Sequence, residues 1–116
     1  MATCDGDQPR VRPFGAVSEL DGRIYIITNN QKKCYQQMMA NPKVEISAMG
    51  KDGTWIRLEC QVVRDERVEA KEQMLKENEM LRSMYFPEDG IMEVLYIKDA
   101  TATFCSFTGE PETIRF

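Results

Sequence analysis

At 116 residues the chain has room for one domain with one modest core, and 42% hydrophobic with 29% charged residues is an ordinary globular balance. A net charge of −4 and a sequence pI near 4.9 argue against nucleic acid as a partner, and no apolar stretch reaches the length of a membrane-crossing helix. The sequence holds no histidine, which removes Ser-His-Asp and Cys-His nucleophiles and the commonest metal ligand together.

Asp5-Gly6-Asp7 and Asp21-Gly22 are hairpin turn signals. Between them the alternation predicts a strand over Arg10 to Leu20, interrupted at Pro13 and Gly15. A proline lacks a ladder donor, so this pair marks an edge, a bulge or a close approach of a ligand. Arg23 to Thr28 reads as the next strand, its Ile24-Tyr25-Ile26-Ile27 run arguing for burial. Gln31 to Ala40 changes to helical spacing, with Cys34, Tyr35, Met38 and Met39 on one face, and Asn41-Pro42 stops it. Lys43 to Met49 alternates as a half-buried strand, and Lys51-Asp52-Gly53 turns it into a partner over Thr54 to Arg64. In that partner Ile56, Leu58 and Cys60 take the core side, opposite Trp55, Arg57 and Glu59.

Asp65 is the expected N-cap of a charged helix from Glu66 to about Asn78, followed by a short helical turn over Leu81 to Phe86. Two last strands are expected over Met92 to Lys98 and Thr101 to Phe107, joined at Asp99-Ala100, ahead of the tail Thr113-Ile114-Arg115-Phe116. Met38, Met39, Met74, Met80 and Met84 read as core filler. Six or seven strands in hairpin order with a few short helices predict a mainly β fold. That order favours a closed or split antiparallel barrel over a doubly wound sheet.

The strand after Asp21-Gly22 empties into Thr28-Asn29-Asn30-Gln31-Lys32-Lys33. Hydroxyl and amide side chains followed by two lysines at a helix start can hold a phosphate without a glycine loop, and GxGxxG and GxxxxGK are both absent. The alternating Arg10-Val11-Arg12-Pro13 adds further cations nearby. Taken alone, these residues also read as a charged edge strand, a helix cap and solvated lysines, and Trp55 as an interface aromatic. Cys4, Cys34, Cys60 and Cys105 form no CxxC or ligand spacing, which predicts reduced and mostly buried thiols. The whole reads as a cytoplasmic domain in which an organic cofactor would supply any demanding chemistry.

The segments Asp5 to Gly15, Asp21 to Lys33, Asn41 to Met49 and Asp99 to Pro111 together resemble the pyridoxamine 5′-phosphate oxidase-like FMN-binding split-barrel family, most closely its small general-stress-protein-like members. The resemblance spans nearly the whole chain. It implies a single domain over residues 1–116, a homodimer of split barrels, and one FMN in each of two clefts between the subunits. It places Arg10, Arg12 and Pro13 at the flavin edge or phosphate, Thr28 and Asn29 at the strand end, Lys32 and Lys33 on the phosphate, and Trp55 and Arg57 toward the isoalloxazine. The implied activity is hydride transfer from a reduced nicotinamide to a small acceptor; the alternative is a non-catalytic flavin-binding or redox-sensing protein. Two departures stand out. The family's helix ahead of the first strand does not show here, so either it is absent or the chain is truncated before it, and the missing histidine argues against oxidation of pyridoxine phosphate itself.

Overall fold

The computed structural model describes all 116 residues. Its strands are β1 (Ala2–Asp5), β2 (Gln8–Val11), β3 (Val17–Leu20), β4 (Arg23–Asn29), β5 (Lys43–Met49), β6 (Trp55–Asp65), β7 (Met92–Cys105) and β8 (Glu112–Arg115). Helix α1 (Lys33–Ala40) follows β4, helix α2 (Val68–Glu77) follows β6, and a 3₁₀ turn covers Glu79–Ser83. No helix is long and apolar enough to cross a membrane.

All eight strands join one antiparallel sheet in the order β2-β1-β5-β6-β7-β4-β3, with β8 beside the second half of β7. Every strand is wholly antiparallel to its neighbours, as hairpin connections dictate. The ends of the order, β2 and β3, do not pair with each other, so the sheet stays open as in a split barrel. The irregular segment Arg12 to Ala16 bridges that gap.

Each face of the sheet has its own core. On the inner face, Ile26, Val44, Leu58, Cys60, Val62, Leu95 and Ala102 pack with Cys34 and Met38 of α1. On the outer face, Tyr25, Met92 and Val94 receive Ala70, Met74 and Leu75 of α2, with Leu81 of the 3₁₀ turn beside them. Burying each such aliphatic side chain contributes about 1.5–3 kcal/mol.

Several expectations need correction. The predicted Arg10–Leu20 strand is two, β2 and β3, because Pro13 and Gly15 fall in a true break. The 92–98 and 101–107 pair is one continuous strand, β7, and the tail supplies an eighth strand. What looked like a turn at Asp99-Ala100 is a β-bulge. Glu59 pairs Thr101 while Gln61 pairs Lys98, so Cys60 faces both Asp99 and Ala100. The extra residue resets the alternation, which keeps Leu95, Ile97, Ala100 and Ala102 all on the inner face. Asp99 takes φ 49° there, a backbone region that Asp tolerates and β-branched residues do not. We therefore expect Asp99→Val to cost roughly 1–2 kcal/mol and Asp99→Gly almost nothing, read from urea midpoints.

Asp65 does not cap α2. It ends β6 with its side chain buried, and Arg67 stands at the N-cap position with no side-chain cap bond. Asp65 Oδ2 accepts the Tyr25 hydroxyl at 2.6 Å and Arg67 Nη2 at 3.0 Å, and its Oδ1 accepts the Arg67 backbone amide at 3.0 Å. Of the methionines, Met38 and Met74 are core, but Met80 and Met84 are 74% and 60% exposed.

Candidate functional site

Where the sheet fails to close, a cleft of about 270 Å³ opens. The Arg12–Ala16 segment forms one side, the end of β4 and the start of α1 supply Thr28, Lys32 and Cys34, and Met80, Met84 and Tyr85 complete it. It carries two cations and no carboxylate, although the chain as a whole is net acidic. Four other grooves are larger, two of about 470 and 460 Å³ and two of about 370 Å³, but each has a carboxylate in its lining: Glu45, Glu59 and Asp99 in the first, Glu110 and Glu112 in the second, Asp5 in the third, and Glu72 and Glu88 in the fourth.

Thr28 follows Ile26 on the inner face, and its side chain is buried with no hydrogen-bond partner for Oγ1. An unpaired buried hydroxyl costs about 1–3 kcal/mol. Thr28 lines the cleft, with the Cys34 thiol beside its hydroxyl. Helix α1 starts from Lys32 with extended backbone, no capping side chain and no acidic residue in its first turn. Its first-turn N–H groups and the positive end of its dipole are thus left without a protein anion, next to the bare threonine hydroxyl.

Arg12 is held by the protein on one side only. Nη1 donates to Thr3 Oγ1 at 2.8 Å and to the Arg10 carbonyl at 3.4 Å, and Nη2 donates to Gln37 Oε1 at 3.0 Å. A guanidinium has five N–H donors. Nε–H and one hydrogen of Nη2 keep no protein partner, and adjacent donors of that kind form the fork that grips a phosphate or carboxylate through two parallel bonds. Cys34 lies in the same cleft. Burial pushes its thiol up from the ordinary value, against the pull of the Arg12 and Lys32 charges and of the neighbouring Thr28 hydroxyl, so it stays protonated and neutral.

Other predicted site residues fall elsewhere. Asn29 supports the cleft from behind: its Nδ2 donates to the Tyr85 hydroxyl at 2.9 Å and its Oδ1 accepts the Gln31 amide at 3.1 Å. Arg10 is exposed and paired with Asp5 at 3.2 Å. Lys33 lines a separate shallow groove with Asp5 and Gln36. Trp55 packs on Phe107 with ring centroids 5.0 Å apart, in the groove that holds Glu110 and Glu112, and Arg57 is on the exposed face of β6. The chain therefore gathers Arg12, Pro13, Thr28 and Lys32, and leaves Arg10, Lys33, Trp55 and Arg57 apart from them.

Sequence reasoning missed the apolar wall of Phe14, Met80, Met84 and Tyr85. The spacing of Met80 and Met84 by one helical turn was the available signal, read there as core. Asn30, read as part of the phosphate-holding or helix-capping run, instead ties the β4–α1 turn through its amide to Gly90 and Glu93 at 2.8 and 3.1 Å. Glu93, nearly fully buried, is anchored in turn by Arg64 at 2.9 Å. This network fixes the loop that presents Thr28 and Lys32.

An antiparallel sheet left open at one gap, with a cleft at that gap, defines a split-barrel domain. The profile of the pyridoxamine 5′-phosphate oxidase family matches residues 1–109, and the chain belongs to that family. It is 55% identical to a NimC/NimA family protein from Clostridium acetobutylicum, with a TM-score of 0.95 over 99% of this chain and 80% of that one. General Stress Protein 26 from Bacillus anthracis shares the fold at 24% identity and a TM-score of 0.80, covering 99% of this chain and 85% of that one. An FAD-binding protein from Mesorhizobium loti shares it at 17% identity and a TM-score of 0.56, covering 90% and 83%. No curated protein matches the chain.

Proposed function

We propose that the cleft holds the phosphate and part of the ring of FMN, and that the protein passes hydride from a reduced nicotinamide to a small acceptor. The observation that carries this is the convergence of a free guanidinium fork, a bare buried hydroxyl and an uncapped helix start on one cleft without a carboxylate. Family membership and a flavin-binding structural neighbour support the cofactor class.

Arg12 and Lys32 would neutralise the phosphate, each charge-assisted bond contributing about 1.5–3 kcal/mol, and Thr28 would donate to a phosphate oxygen. Phe14, Met80 and Met84 would exclude water from the ring. Bound flavin would itself supply the electron pair chemistry. A cleft of about 270 Å³ is smaller than the roughly 300–1,000 Å³ that encloses a ligand of this size. A second protomer is the natural cover, and it would account for the exposed Met80 and Met84 in the cleft wall. In this reading Trp55, Arg57, Arg10 and Lys33 belong to the part of the site that the homodimer assembles.

A second reading, a non-catalytic flavin-binding or redox-sensing protein, draws on the lack of any carboxylate or histidine in the cleft and on the neutral Cys34 thiol. Anaerobic mixing with NADH or NADPH separates the two. Flavin bleaching much faster than that of free FMN is the expected result; a rate equal to free FMN leaves only the binder. Purified protein without flavin absorbance, and without FMN binding on titration, removes both.

A further inference from the structure

We infer that Thr3 and Gln37 aim Arg12 into the cleft, and so decide whether the site reads the phosphate of its ligand. This deepens the FMN reading and rests on it for the identity of the ligand.

The three side chains form a closed ring of hydrogen bonds. Thr3 Oγ1 donates to Gln37 Oε1 at 2.6 Å, Arg12 Nη1 donates to Thr3 Oγ1 at 2.8 Å, and Arg12 Nη2 donates to Gln37 Oε1 at 3.0 Å. The amide orientation is forced: a guanidinium only donates, so the Gln37 atom facing it must be the oxygen. Each participant comes from a different element, Thr3 from β1, Gln37 from α1 and Arg12 from the segment that bridges the split. Thr3 is buried, 2% exposed, which makes its hydroxyl a fixed anchor.

Without that ring, Arg12 would be a long side chain on an irregular segment with several rotamers open to it. The ring consumes one Nη1 donor and one Nη2 donor and leaves Nε–H with the other Nη2 hydrogen for the cleft. Neither Thr3 nor Gln37 lines the cleft, so neither touches the ligand. They are positioning residues.

The test uses Gln37→Met, which keeps length and removes the acceptor, with Thr3→Val and Thr3→Ser as a second pair. FMN affinity is expected to fall about tenfold in Gln37→Met and Thr3→Val, with riboflavin affinity changed less than about twofold, and Thr3→Ser should restore FMN binding. Adding Gln37→Met to Arg12→Ala should cost nothing more, because there is then no guanidinium to aim. A ligand-free readout runs in parallel: phenylglyoxal labelling at Arg12, located by peptide mass, should accelerate at least threefold in both damaging variants. Unchanged labelling, or parallel losses of FMN and riboflavin, overturns the aiming role. A wild-type protein that binds FMN no better than riboflavin overturns the phosphate reading instead, and the labelling rates still decide whether Thr3 and Gln37 hold Arg12.

Discussion

Arg12→Ala is expected to weaken FMN binding about a hundredfold while leaving riboflavin binding within about twofold of wild type. The magnitude follows from two lost charge-assisted bonds at about 1.5 kcal/mol each, roughly 3 kcal/mol in all. Riboflavin is the control because it carries the same ring and ribityl chain without the phosphate. Flavin fluorescence quenching gives both affinities in one format, and the FMN arm should weaken further as salt rises, since Arg12 is only partly buried. Lys32→Ala should act in the same direction but less strongly, its side chain being exposed and screened. Equal losses for the two flavins would mean that Arg12 supports the ring or the local packing, and the phosphate site would have to be sought elsewhere.

The second large effect concerns stability. Asp65→Ala removes the only hydrogen-bond acceptor of the Tyr25 hydroxyl, whose residue is 0% exposed, and frees Arg67 from its buried partner. Losing one member of such a network costs about 3 kcal/mol, and for a chain of this size the melting temperature should fall by roughly 10 °C or more. The same carboxylate sets an acid limit. Burial alone would raise its pKa, but hydrogen bonds from Arg67 and Tyr25 outweigh that and hold it at about 2, below its ordinary 3.8. A depressed folded-state pKa means stability that is complete above the unfolded value near 4 and drains away as pH falls toward 2, about 2 kcal/mol in total. Denaturant midpoints of wild type should therefore drop across that interval, and those of Asp65→Ala should drop by correspondingly less. A variant as stable as wild type at pH 7 would show that Tyr25 finds water or another acceptor.

Much of this architecture was written in alternation. The inward set of β5 and β6 and the apolar run of β4 follow directly from side chains every second residue, and α1 from its change of period. Two local signals misled because chemistry at the level of a few residues is shared by different structures. A residue at positive φ serves a turn and a bulge alike, so Asp99 looked like a chain reversal when it only resets the register of β7. An aspartate whose Oδ1 accepts the amide two residues on resembles a helix cap, and Asp65 makes that bond while its other oxygen is committed to Tyr25, forty residues earlier.

The site divides the same way. Thr28 and Lys32 were legible because they are nearly contiguous at a strand-to-helix junction. Tyr85, Phe14, Thr3 and Gln37 were not, because their roles depend on elements that meet only after the sheet has curled. Lys32 and Lys33 were indistinguishable as letters; one residue of helical rotation sends the second to a different groove.

Strand β7 binds β6 along most of its length on one side, and on the other takes β4 with its first half and β8 with its second. It also lies after both of these long-strand partners, β4 and β6, in chain order. Until it is in place, β4 has only β3 beside it and β6 only β5, and each leaves one edge open. The sheet therefore cannot assemble before β7 is available, and a fragment that stops short of it would carry sticky open edges rather than form a smaller domain.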